Sequence, residues 1–259
     1  MSSVVSISVA RDLVARSLAR PYRVTFPMVL LLALVPFYIF IPALLPPHTR
    51  YFPELALDRA LPLLPSWALI YGALYLFLIV FPILAVRDED HIRRTVYAYL
   101  FVWIIAYAVF ILYPTQAPRP ARVVGEGFAV WGLQALYSSD PPYNCFPSLH
   151  VAHSFVSALT LLPLHRRLGI IATVAATLVA LSTLFTKQHY VLDAVAGVLL
   201  ALVAWAIFLR AYPRDRVAAL DRQAAPAIAV CVAGLSAVAV IGYWILYLIG
   251  GQTRFDFGP

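Results

Sequence analysis

Seven runs of 16 to 25 mostly apolar residues, separated by short segments that carry nearly all the arginines, constrain this chain more than any other feature. They cover residues 25–45, 66–86, 95–113, 149–164, 168–186, 189–210 and 226–250. A helix needs about 20 such residues to cross the ~30 Å hydrocarbon layer of a bilayer. Within lipid, its backbone polar groups must bond inside the segment itself. The expected fold is therefore all-α, a polytopic membrane helix bundle of seven spans. The fourth run is short, so its Pro147-Ser148 start is expected in the headgroup region.

Composition supports this. Only 12% of the 259 residues are charged and 63% are hydrophobic, whereas a soluble domain carries roughly 25% charged residues. The net charge of +7 would suit a polyanion, but the arginines are scattered among the inter-helix loops. They are a topology signal, and no nucleic-acid role is expected. Residues 1–24 hold Arg11, Asp12, Arg16, Arg20 and Arg23 without a clean apolar core. They read as a basic amphipathic segment at the membrane surface, not a cleavable signal. Cys145 lies in a polar loop and Cys231 in an apolar run, so no disulfide is expected.

Lys and Arg concentrate on the cytoplasmic side of membrane proteins. With seven spans, the side holding the N-terminus and the loops after spans two, four and six has thirteen cations, Arg11 to Arg222. The other side has six: Arg50, Arg59, Arg119, Arg122, Lys187 and Arg254. The expectation is an integral protein of the plasma (inner) membrane with a cytoplasmic N-terminus.

The cation-poor side collects the unusual residues. The long 114–147 connection ends in Asn144-Cys145-Phe146-Pro147-Ser148-Leu149-His150 and runs straight into span four. The turn between spans five and six reads Thr186-Lys187-Gln188-His189-Tyr190-Val191-Leu192-Asp193, and span three ends in Tyr113-Pro114-Thr115-Gln116-Ala117-Pro118-Arg119-Pro120. An up-down bundle brings all three to one face, where ionisable residues at membrane depth are functional by default. A helix N-terminus at Ser148 and the backbone N–H of Leu149 suit an anion, and His150 in that first turn is placed to carry a proton. His189 and Asp193, four apart on one helix face, can hydrogen-bond. A carboxylate on one imidazole nitrogen leaves the other free as a nucleophile. Arg119 and Lys187 supply positive charge for phosphoryl oxygens. Each feature alone has an ordinary explanation: an interfacial His, a helix-bonding Asp, a Ser N-cap, headgroup anchors. Their joint occurrence on one face is the signal.

Pro147-Ser148-Leu149-His150 with His189-x-x-x-Asp193 resembles the second and third signatures of the type 2 phosphatidic acid phosphatase superfamily, usually Pro-Ser-Gly-His and Ser-Arg-x5-His-x3-Asp. Ser182 stands where that pattern wants Ser, and Arg119-Pro120 where the first signature, Lys-x6-Arg-Pro, ends. Three positions depart: Leu149 for Gly, Thr183 for Arg and Leu112 for Lys. The departures, with Leu57-Asp58-x-x-Leu61-Pro62-x-x-Pro65 and Thr-Lys-Gln-His-Tyr-x-x-Asp, look similar to inositol phosphorylceramide synthase and its bacterial relatives.

The resemblance implies a six-helix phosphatase-type core over residues 25–210, with residues 211–259 adding a seventh span and tail. It implies a lipid phosphatase or phosphotransferase in which His189 attacks phosphorus and forms a phosphohistidine-type intermediate. His150 protonates the leaving oxygen, and Asp193 orients His189. Arg119, Ser148, Lys187 and the Leu149 amide hold phosphate oxygens. The substrate is a lipid phosphate ester or anhydride, the acceptor water or an alcohol, and no metal or cofactor is implied. A headgroup transferase is the alternative within the class. A proton-coupled lipid transporter or flippase is the alternative outside it, disfavoured because the ionisable residues sit at span ends and not at the midplane. His153 reads as bundle packing or an aid to His150 more readily than a metal ligand. Arg122, Glu126 and Asp140 read as loop surface, while Asp58 in the Pro-rich loop is ambiguous between a turn or helix cap and a functional role.

Overall fold

The computed structural model describes residues 22–44 and 50–250. The surface segment expected over 1–24 and the tail after Gly250 therefore lie almost wholly outside the described residues. Among those residues there is no strand, only two isolated bridges, Tyr51 with Thr115 and Gln116 with Tyr143.

The first expected span is broken. Helix α1 (Tyr22–Leu30) gives way to a 3-10 turn, Leu31–Leu34, before α2 (Val35–Leu44). Proline lacks an N–H and its ring clashes with the carbonyl four residues back; Pro36 places that clash inside the 3-10 turn. A one-turn helix α3 (Ala56–Ala60) follows in the Pro-rich loop, then α4 (Trp67–Ala85). Helix α5 (Glu89–Leu112) starts six residues before its apolar run. The Asp88 carboxylate accepts the His91 N–H at 2.9 Å, and Glu89 and Asp90 favour the positive end of the helix dipole. The long connection contains α6 (Phe128–Ser139), with Trp131, Leu133 and Tyr137 buried.

Helix α7 (Leu149–Leu164) follows the expected run and α8 (Arg166–Phe185) nearly does. Helix α9 (Val191–Ala204) continues through a π-turn, Trp205–Leu209, and α10 (Ala219–Gly250) begins seven residues before its apolar run. Among the described residues, five helices are long and apolar enough to cross a membrane: α4, α5, α8, α9 with its π-turn, and α10. α7 and the stretch Phe26–Tyr38 are shorter.

The short helix is the axis. α7 is buried along most of its length, with α4, α5, α8 and α9 against it. Its Ala152, Ser154, Ser157, Ala158 and Thr160 are small, which lets neighbouring backbones close in. Large apolar side chains such as Ile104, Ile111, Ile171, Leu199 and Leu246 face outward, as lipid-facing positions do. α10 lies along α4 and touches α6, where Phe128 meets Trp244 edge to face at 4.8 Å.

Gly197 fixes the approach of α9 to the start of α7. A Cβ there would lie 2.6 Å from the Ser148 carbonyl oxygen and 3.1 Å from the Val151 Cβ. Gly197→Ala is expected to push α9 away from Ser148, cost about 1–3 kcal/mol as overpacking does, and lower turnover. Thermal unfolding in detergent checks this against Gly234→Ala, which meets nothing within 4 Å and should leave the midpoint unchanged.

Candidate active site

Three chain segments converge at one end of the bundle. The turn from α8 into α9 carries His189, and a set of hydrogen bonds holds it. The Thr183 carbonyl accepts the N–H of Gln188 at 2.9 Å and of His189 at 3.2 Å. Asp193 Oδ2 accepts the Tyr190 N–H at 2.9 Å. Asp58 Oδ1 accepts the Val191 N–H at 2.8 Å while its Oδ2 takes that of Leu55 at 2.7 Å. The Ser148 N–H donates to the Asp193 carbonyl at 3.0 Å. Asp58 is thus a helix cap, for α3 and for α9, which lies 133 residues away in sequence.

The approach to α7 is held from the end of α5. Buried Thr115 Oγ1 accepts the N–H groups of Cys145 at 2.9 Å and Phe146 at 3.0 Å. The Ser148 hydroxyl caps α7, accepting the Val151 N–H at 3.3 Å. The amides of Leu149 and His150 belong to the first turn, where an α-helix supplies no acceptor of its own.

The histidines and the aspartate form a line. His150 Nδ1 lies 3.4 Å from His189 Nε2, and His189 Nδ1 lies 3.4 Å from Asp193 Oδ2. His189 and Asp193 are buried, and among the described residues Asp193 Oδ1 has no hydrogen-bond partner. If Asp193 holds the proton on His189 Nδ1, Nε2 bears the lone pair and His150 Nδ1 donates to it.

Arg119 sits in a network that the sequence does not reveal. Its Nη1 donates to the Tyr137 carbonyl at 3.2 Å, its Nη2 donates to Gln188 Oε1, and Asp140 Oδ2 is 3.9 Å from Nη2. The guanidinium also lies 4.5 Å over the Tyr137 ring. Asp140 further accepts from Gln188 Nε2 at 3.3 Å and from the Tyr38 hydroxyl at 3.2 Å. It is therefore enclosed, not loop surface, whereas Arg122 and Glu126 are exposed. Arg119 Nε is buried without a partner among the described residues. Burial pushes the Tyr137 hydroxyl pKa up, an effect the Arg119 charge partly offsets.

Lys187 takes the left-handed conformation, φ 55°, and its ammonium donates to the Asp58 carbonyl at 2.7 Å. Two of its three ammonium protons remain for other acceptors. Leu112 is 81% exposed, so the position of the first-signature Lys faces away from the histidines. Thr183 and Ser182 bond to the backbone of their own helix. Cys145 and Cys231 are free thiols, and burial, then the Asp193 and Asp140 charges, push the Cys145 pKa up.

Beside His150 lies a cavity of about 390 Å³. Tyr71 and Tyr75 meet the His150 ring at 5.3 and 5.0 Å, and Ile79, Ile83 and Met28 line the far end. His153 lines it too, with Nδ1 3.4 Å from the Tyr75 hydroxyl.

A protein-family model described as the PAP2 superfamily matches residues 54–207, more than half of the chain. A PA-phosphatase related-family protein of Dictyostelium discoideum is 22% identical over an alignment covering 42% of this chain and 22% of that relative. The chain thus spans about a fifth of the length of the curated relative it matches. No solved structure matches.

Proposed function

The chain belongs to the PAP2 superfamily, and on that premise we propose that it cleaves or transfers a phosphoryl group carried by a lipid, through a phosphohistidine on His189. The observation that carries this reading is the line His150–His189–Asp193, with both gaps at 3.4 Å, whose first member, His150, also lines an apolar cavity. His189 Nε2 attacks phosphorus as the bond to the lipid oxygen breaks, and His150 gives that oxygen its proton. Water or an alcohol then attacks the phosphorus, yields its proton to His150, and the P–N bond breaks. Attack begins from about 3–3.5 Å, so His150 swings toward the cavity to admit the phosphoryl group. The free first-turn amides of Leu149 and His150, Arg119 Nε, Lys187 and the Ser148 hydroxyl are assigned to its oxygens.

The cavity supports a lipid. Tyr71, Tyr75, Ile79 and Ile83 are spaced four apart, one face of α4 about 18 Å long at 1.5 Å per residue. That is close to one leaflet's share, roughly 15 Å, of the hydrocarbon layer. Ile79→Trp should block this slot, raising KM for a long-chain phosphate about tenfold or more while sparing a short-chain soluble one. Equal effects on both would remove the slot from the account. The thirteen-to-six cation count supports a site on the outer face of the membrane.

The test uses the full chain in detergent with phosphatidate, an isoprenyl phosphate and a ceramide phosphate, with and without an added alcohol, in the presence of EDTA. Free phosphate marks hydrolysis and a phosphorylated or headgroup-bearing alcohol marks transfer. No step above uses a metal ion, so turnover should persist in chelator. Turnover that requires an added divalent cation contradicts the proposal.

A further inference from the structure

We propose that Cys145, His189 and Asp193 form a binding site for a thiophilic divalent cation such as Zn²⁺, which switches the His189 nucleophile off. The proposal rests on the reading of His189 as nucleophile. One donor atom from each of the three residues lies within 4.8 Å of the other two, and all three residues are buried. In a tetrahedral zinc site, bond lengths of about 2.0–2.3 Å put neighbouring donors roughly 3.4–3.6 Å apart. His189 Nδ1 and Asp193 Oδ2 already stand at 3.4 Å, the spacing that such a site needs.

An independent observation points to a ligand. Asp193 is fully buried, yet its Oδ1 has no hydrogen-bond partner among the described residues. A buried carboxylate oxygen without a partner costs about 1–3 kcal/mol or more, and a cation held by both carboxylate oxygens satisfies it. The Cys145 sulfur makes a weak 3.8 Å contact to the Pro142 carbonyl. A thiolate in the donor set selects zinc over magnesium or calcium.

The switch is a change of tautomer. Without metal, the proton of neutral His189 sits on Nδ1 toward Asp193 and the lone pair on Nε2. Zinc bonds to the Nδ1 electron pair, which is available only once the proton has left Nδ1, so that proton moves to Nε2 and the nitrogen that attacks phosphorus becomes an N–H. The thiol loses its proton to solvent, so one proton leaves per zinc bound. No bond to phosphorus is involved, and removing the metal restores the starting tautomer.

The experiment uses chelator-treated full-length protein in detergent with Zn²⁺, Co²⁺ and Mg²⁺. We expect one zinc per chain, about one proton released, and a thiolate-to-Co²⁺ charge-transfer band in the near ultraviolet. Turnover should fall with zinc occupancy, recover on adding EDTA, and ignore Mg²⁺. Cys145→Ala should keep metal-free turnover within about twofold, lose the cobalt band and need at least tenfold more zinc for inhibition. Cys145→Ser serves as a second variant should the alanine chain unfold. Zinc inhibition of Cys145→Ala at the native concentration, a native cobalt complex without the thiolate band, or zinc bound at this site without loss of turnover would each overturn the proposal. The cobalt band and the proton count need no activity. Persistence of turnover in His189→Ala would instead strike the functional reading and leave the metal site standing.

Discussion

His189→Ala is expected to lower turnover by a factor of about 10⁴ or more, the scale on which removal of a nucleophile acts in a unit of coupled groups. Its backbone ties to Thr183 do not involve the imidazole, and Asp193 keeps the Tyr190 N–H. The turn into α9 should therefore survive, and the thermal midpoint in detergent should move by only a few degrees. Asp193→Asn should come close to the same loss without removing the nucleophile. An amide that donates to Nδ1 forces the imidazole proton onto Nε2, and the wrong tautomer costs on the order of 10⁴ where an aspartate orients a histidine. If Asp193→Asn kept most of its turnover, Asp193 would be a helix cap and nothing more.

The second large effect belongs to His150, and it depends on the substrate. General acid–base groups contribute roughly 10²–10⁴-fold. His150→Ala should lose that factor in the first step only when the leaving oxygen needs a proton, as a lipid alcohol does. An aryl phosphate with an acidic phenol leaves unaided, so its first step should be nearly normal. The second step still lacks the base that activates water. Phosphoenzyme should then accumulate, giving a burst of phenol of about one equivalent followed by slow turnover. Stopped-flow absorbance reads this directly. Equal losses for alkyl and aryl substrates, with no burst, would show that His150 holds its neighbours in place and moves no proton.

What was legible in the sequence followed range. His189 and Asp193 lie one helical turn apart, and Ser148 and His150 flank a helix start, so local geometry alone implied their proximity. Helix positions were legible where hydropathy changes sharply, as at both ends of α7 and at the start of α4. They were not where prolines crowd an apolar run, as in the break at Leu31–Leu34. Nor were they where polar turns extend a helix out of the apolar layer, as at the starts of α5 and α10. A connection as long as 114–147 suggests some helix, but the bounds of α6 were hidden among its prolines and glycines.

The supporting residues were illegible because their roles are tertiary. Nothing local marks Thr115 as the acceptor for two amides thirty residues on, or Asp58 as the cap of α9. Gln188 sits within a motif that was singled out, yet its bridge between Arg119 and Asp140 needs three segments in place. The outward face of Leu112 gives a physical reason why this chain does without a cation there. The left-handed Lys187 is equally silent in the sequence, since a residue other than glycine takes that conformation only where its surroundings hold it.

The central claim is the covalent bond between phosphorus and His189. Rapid quenching of the native chain and of His150→Ala with a ³²P-labelled substrate, followed by peptide mass spectrometry, tests it most directly. An alkali-stable, acid-labile label is expected on the peptide containing His189, stronger in His150→Ala and absent from His189→Ala. Label on Ser148 or Cys145, or no covalent label while substrate is consumed, would contradict it.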